Sequence, residues 1–200
     1  HFLFYAVSGL LEKIGLPIHY ALNLPSALGF LALTLMIFVL SSRLFSSVKV
    51  GFLSVLLFLF NGSLSFIDFF SKHPLSLSTF KDIISNTTFP SFAPWNGSLI
   101  TAFWNLNIYT NQRHLGLSFA IALLVIYLSV TKKSRLLPLS GFILGSLLLI
   151  NQAAFIIAAA YYVWILVIDN QKRKNLLISL IGIIPWFLVM LNTMTVSPSV

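Results

Sequence analysis

The chain has 200 residues, of which 58% are hydrophobic and 8% charged, with a formal net charge of +8 and no cysteine. Soluble domains carry about 25% charged residues, so this composition cannot build a water-facing surface, and lipid is the solvent that suits it. The missing cysteines exclude a disulfide framework, a thiolate metal site and a cysteine nucleophile. The basic residues fall in short clusters between apolar runs, which marks cytoplasmic membrane loops rather than a nucleic-acid footprint.

Phe2 to Leu11 is apolar, Glu12-Lys13 interrupts it and Gly15-Leu-Pro17 ends it. Such a helix reaches about half of the ~30 Å hydrocarbon core, so Phe2–Lys13 is expected to lie at the interface. Tyr20–Ser42 is the first full span, with Pro25 in its early turns. Arg43 and Lys49 bracket a short loop, and Val50–Phe70 follows as the second span. A long polar segment, residues 71–113, comes next. Leu115–Val130 is the third span, closed by Lys132, Lys133 and Arg135. Leu136–Ile150 and Ala153–Ile168 read as a hairpin turning at Asn151-Gln152, because one helix across both would be about 50 Å long. Lys172, Arg173 and Lys174 close it, and Leu176–Leu191 is the last span, with a kink expected at Pro185-Trp186.

The expected fold is therefore an all-α, polytopic transmembrane bundle of about six spans plus one short interfacial helix, in a single domain over residues 1–200. Placing Arg43 and Lys49 inside puts Lys132, Lys133, Arg135 and Lys172–Lys174 inside as well, and residues 71–113 outside. All three basic short loops then share one side, as expected of a multi-pass protein of the plasma (inner) membrane. The chain opens on His1 and closes just after a span, which predicts a piece of a longer protein.

No Gly-x-Gly-x-x-Gly, Walker, His-Glu-x-x-His or Gly-x-Ser-x-Gly pattern is present, and no cofactor is identified; nothing supports a divalent metal. The four carboxylates are Glu12, Asp68, Asp82 and Asp169. Glu12 and Asp169 read as surface charges beside Lys13 and Lys172; Asp68 and Asp82 face outward, most simply as solvated residues. The densest polar cluster runs from Asn107 to His114 and enters a span directly. If a helix begins near Asn107, then Asn107, Asn111 and His114 share one face at i, i+4 and i+7, with Arg113 adjacent. A guanidinium offers a planar fork of donors suited to phosphate, and the amides of Asn107, Asn111 and Gln112 can hold sugar hydroxyls. The same residues also suit interfacial anchoring, with arginine snorkelling and Trp95, Trp104 and Tyr109 forming an aromatic belt. Tyr161, Tyr162 and Trp164 lie within a span and read as packing residues.

Four strings point to a family: His1-Phe-Leu-Phe-Tyr5, Gly15-Leu16, Ala21-Leu-Asn-Leu-Pro-Ser-Ala-Leu28 and Ser42-Arg-Leu-Phe45. Together they resemble the polytopic glycosyltransferases of the GT-C fold, in particular bacterial relatives of the dolichyl-phosphate-mannose–protein mannosyltransferases. Leu139-Ser-Gly-Phe-Ile-Leu-Gly145 and Pro185-Trp186 are similar to that family's middle helices. Phe2 stands where the family usually has Pro, and Asn23 where it usually has Arg, so no role of that Arg transfers. The resemblance implies sugar transfer from a polyprenyl-phosphate donor to an acceptor on the extracytoplasmic side, with membrane lipid as partner and no nucleic acid. It implies a catalytic carboxylate upstream of His1; within this chain His1, Arg113 and His114 are the residues expected near that site. Two rival classes remain: a transporter or flippase of lipid-linked sugars, with ionisable residues at mid-bilayer depth, and a non-catalytic membrane subunit.

Overall fold

A computed structural model describes residues 2–59, 70–71, 73–85, 108–109, 112–131 and 137–195. Among these every regular element is a helix and none is a strand. The first helix, α1 (Phe2–Lys13), ends as Gly15 takes φ +104° and the Leu16 N–H donates back to the Leu11 carbonyl at 3.1 Å. That left-handed cap is natural to glycine. Twelve residues rise about 18 Å, so α1 falls short of a bilayer core; it packs on the helices before and after the long polar segment, burying Phe4 and Ser8.

Helix α2 (Ile18–Leu44) is closed by the same device at a less usual residue: Ser46 has φ 51°, and the Ser47 N–H donates to the Ser42 carbonyl at 3.1 Å. Ser47 then accepts from the Val50 N–H and starts α3 (Val48–Leu59). The second span is described only to Leu59, the rest of its expected course lying outside the described residues. Within the polar segment a short helix not expected from the sequence, α4 (Thr79–Ser85), is entered through a turn in which Thr79 Oγ1 accepts from the Ser76 N–H at 2.7 Å.

Helices α5 (Leu115–Val130), α6 (Leu137–Ile150) and α7 (Gln152–Ile168) come next. The hairpin between α6 and α7 turns at Asn151, as expected, because its side chain accepts from the Ala154 N–H and starts α7. The last helical stretch departs from expectation. It begins at α8 (Asn170–Leu180), six residues before Leu176, because Asp169 accepts from the Gln171 and Lys172 N–H groups at 3.1 Å each. The basic cluster is thus the first turn of a helix, not a loop. A 3₁₀ turn at Ile181–Ile183 precedes α9 (Ile184–Thr195). The irregularity sits one turn before Pro185, where the missing proline N–H leaves the Ile181 carbonyl without its helical donor.

Two stretches are long and apolar enough to cross a membrane, Ile18–Leu44 and Asn170–Thr193. The helices α3, α5, α6 and α7 are apolar but shorter. Large apolar side chains cover the outside as well as the core. Leucine, isoleucine, valine and phenylalanine line the outside of α2, α3, α7 and α9, whereas Ser118, Ser129, Ser140 and Ser179 are fully buried. Each of these hydroxyls donates to a carbonyl three or four residues earlier in its own helix, which removes the cost of burying it. Small buried residues let helix axes approach closely, the packing mode used where lipid removes the hydrophobic drive between helices. The core lies among α5, α6, α7 and α8, around Val125, Leu144, Leu147, Ala158 and Leu176. Trp164 does not pack there: it faces outward from α7 and is 62% exposed.

Tyr162 joins three of these helices. Its hydroxyl lies 3.0 Å from Ser140 Oγ of α6 and in hydrogen-bond contact with Ser179 Oγ of α8. Beside it, a Cβ on Gly141 would collide with the Ser179 carbonyl. Gly182 meets the Phe142 backbone in the same way, with 2.7 Å to its nitrogen.

Candidate functional site

The polar turn at the entrance of α5 is defined by its backbone. The Gln112 N–H donates to Ile108 at 2.8 Å and the Leu115 N–H to Gln112 at 2.9 Å, so Gln112–His114 is a turn and regular helix begins at Leu115. Regular helix is therefore interrupted at Gln112–His114, and the face expected to unite Asn107, Asn111 and His114 falls on Asn107 and Asn111, which the structure does not describe. His1, Asn107 and Asn111, together with Asp68, Trp95 and Trp104, lie outside the described residues.

Of the expected site residues that are described, Gln112 is exposed, Arg113 is half-buried and His114 is only 6% exposed. Ser118 Oγ donates to the His114 carbonyl at 2.6 Å, closing the first turn of α5 onto it. Burial holds the His114 imidazole below its ordinary pKa, because the charged form loses water there. His114 thus faces inward, where its charged form is disfavoured, whereas Gln112 is exposed and Arg113 half-buried.

Two contacts pin the turn from either side. Before it, Tyr109 sits in an aromatic cluster, with ring centroids 5.5 Å from Phe30 of α2, 5.7 Å from Phe58 of α3 and 6.4 Å from Phe119 of α5. Burial raises the pKa of its phenol. Tyr109 is accordingly a packing anchor rather than an exposed belt residue or sugar platform. After it, Gly116 lets α5 touch α2: a Cβ there would lie 2.9 Å from the Phe30 nitrogen, and one on Gly29 would lie 2.8 Å from the Leu117 nitrogen. With both flanks packed on α2, Arg113 has a fixed backbone. That arrangement can present a cation to an anionic group at low entropic cost.

Among the described residues no three His, Asp or Glu side chains gather as a metal site. Described carboxylates sit elsewhere: Glu12 is exposed at the end of α1, Asp82 accepts from Ser78 Oγ at 3.3 Å, and Asp169 caps α8. The structure also brings out a feature that the sequence alone did not single out, the Tyr162 hydroxyl junction. Its signal was a hydroxyl residue in each of three successive apolar stretches, at 140, 162 and 179.

Compared with protein-family models, with curated proteins and with solved structures, the chain matches none.

Proposed function

We propose that this chain is part of a bacterial inner-membrane glycosyltransferase of GT-C type, moving a sugar from a polyprenyl-phosphate donor to an acceptor on the extracytoplasmic side. In this reading α2, α3, α5, α6, α7 and the α8–α9 stretch are six crossings, and α1 lies in the outer interface. The apolar exterior and the self-satisfied buried hydroxyls support membrane insertion. Helices of 14 and 17 residues, α6 and α7, rise about 21 and 26 Å, and local bilayer thinning accommodates that shortfall.

The observation that carries the reading is Arg113 in a turn held between the Tyr109 cluster and the Gly29–Gly116 contact. Sugar transfer from a phosphate carrier needs a cation where negative charge develops on the leaving phosphate. Arg113 is the residue we assign to that task. Gln112, with Asn107 and Asn111, would hold sugar hydroxyls, and His1 would lie close by. The acceptor hydroxyl requires a base, which the family resemblance puts upstream of His1. Among the described residues no crossing carries an Asp, Glu, Lys, Arg or His side chain at mid-length, which disfavours a transporter.

A hydrogen bond to a charged group contributes about 1.5–3 kcal/mol, so Arg113→Ala should lower donor use about 10- to 150-fold. Arg113→Lys should recover part of it, keeping the charge but not the fork. The assay is turnover of a polyprenyl-phosphate sugar by membranes holding parent or variant at equal expression. Unchanged turnover in Arg113→Ala would return the turn to membrane anchoring. A parent that translocates the lipid-linked sugar without transferring it would establish the transporter instead.

A further inference from the structure

The corner between α7 and α8 carries three consecutive cations and one carboxylate, and their hydrogen bonds divide them into two kinds. Lys172 is used internally. Its Nζ donates to the Ser129 carbonyl of α5 at 2.7 Å and pairs with Asp169 Oδ2 at 3.3 Å. Partial desolvation opposes ionisation of Asp169, but the Lys172 and Gln171 hydrogen bonds and the Lys172 charge outweigh it and hold the carboxyl below its ordinary pKa. That pair is neutral as a unit.

Arg173 and Lys174 are left over. Both are exposed, and neither has an ion pair among the described residues. The Arg173 guanidinium is nevertheless held in place, because Nε donates to the Leu166 carbonyl at 2.9 Å and Nη2 to the Val167 carbonyl at 3.1 Å. Carbonyls orient it without neutralising it. Two of its five N–H donors are used, and three remain. A positioned guanidinium, with a second exposed cation on the next residue, suits a phosphate diester.

Depth settles what kind of phosphate. Asn170–Thr193 has 24 residues, about 36 Å of rise against a ~30 Å hydrocarbon core. The outward face is apolar from Leu177 and Ile178 onward, through Ile181 and Ile184 to Leu188. The surplus length is therefore the first turn, with Arg173 and Lys174 at headgroup level. We propose that the α7–α8 corner is a docking point for an anionic phospholipid headgroup, held by Arg173 and Lys174. This rests on the membrane reading above but not on the glycosyltransferase assignment.

The test is thermal unfolding of the purified full chain in neutral detergent, titrated with phosphatidylglycerol, phosphatidylcholine or inorganic phosphate. Phosphatidylglycerol should raise the melting temperature, phosphatidylcholine and phosphate far less. One Lys or Arg near an anionic surface corresponds to about fivefold in binding, so Lys174→Gln should need about fivefold more phosphatidylglycerol for the same rise, and adding Arg173→Gln about 25-fold. Lys174 has no described internal contact, so Lys174→Gln should keep the lipid-free melting temperature. Lys81→Gln, on exposed α4, should leave the titration unchanged. An equal response to phosphatidylcholine, a full response to phosphate alone, or a Lys174→Gln titration that matches the parent would overturn the inference. Release of the protein from carbonate-washed membranes would instead overturn the membrane reading, so the two failures are distinguishable.

Discussion

Two parts of the bundle are held together by different chemistry. The α6–α7–α8 part is clasped: the Tyr162 hydroxyl sits between the Ser140 and Ser179 oxygens and donates its one proton to one of them, and Gly141 and Gly182 bring backbones into contact around it. The α2–α3–α5 part is stacked: Phe30, Phe58, Phe119 and Tyr109 fill one end, and a single glycine pair closes α2 on α5. Directional hydrogen bonds specify one register between helices, whereas ring stacking tolerates small slides. The polar turn grows out of the stacked part, so the residues proposed to meet a substrate are held by ring packing and the Gly29–Gly116 contact rather than by hydrogen bonds between helices.

The comparison breaks most sharply at Gly141. A Cβ there meets the Ser179 carbonyl, which belongs to a helix backbone and cannot rotate away. Gly141→Ala should therefore cost about 3 kcal/mol, at the upper end for overpacking, read as lost folded yield and a lower unfolding midpoint. The stacked part should respond next. Tyr109→Ala should cost about 2 kcal/mol, since its ring is only partly buried, whereas Tyr109→Phe should be nearly neutral. If Tyr109→Phe proves as harmful as alanine, the hydroxyl rather than the ring holds that end.

A smaller effect separates the two parts by chemistry. Tyr162→Phe keeps the ring and removes the hydroxyl, and should cost about 1 kcal/mol, the scale of one hydrogen bond. Ser179→Ala combined with it should add little, because both remove the same contact; full additivity would show that the clasp is not one unit. The smallest effect concerns pH. Burial lowers the pKa of His114 from its ordinary 6.5, so the folded state binds fewer protons than the unfolded one between the folded value and 6.5. The His114 contribution is thus intact above 6.5 and falls as pH drops through that window. Melting curves from roughly pH 7.5 to pH 5 should slope less in His114→Gln than in the parent; an identical slope would show that the imidazole titrates freely.

Much of the helical layout was legible. Apolar runs bounded by Gly15-Leu-Pro17, by Arg43 and by Asn151-Gln152 correspond to helix ends, because glycine, serine and asparagine there satisfy terminal backbone groups. The start of α8 was not legible, since Asp169 reads equally as a solvated charge or as a cap until its oxygens are seen against the Gln171 and Lys172 nitrogens. At the candidate site the composition of the polar run was plain, but its phase was not. Regular helix through Gln112–His114 and a turn there use the same residues, and only the Leu115-to-Gln112 hydrogen bond separates them.

The sequence by itself determined the element type: in a chain 58% hydrophobic and 8% charged helices satisfy the backbone one segment at a time, and two stretches are long and apolar enough to cross a membrane. The tertiary structure alone decided which small and polar residues meet. Gly29 finds Gly116, Tyr162 finds Ser140 and Ser179, and Lys172 reaches Ser129 across 43 positions. Among helices that are apolar on every side no periodicity marks the inner face, so the partners are chosen by close approach and hydrogen bonding between segments.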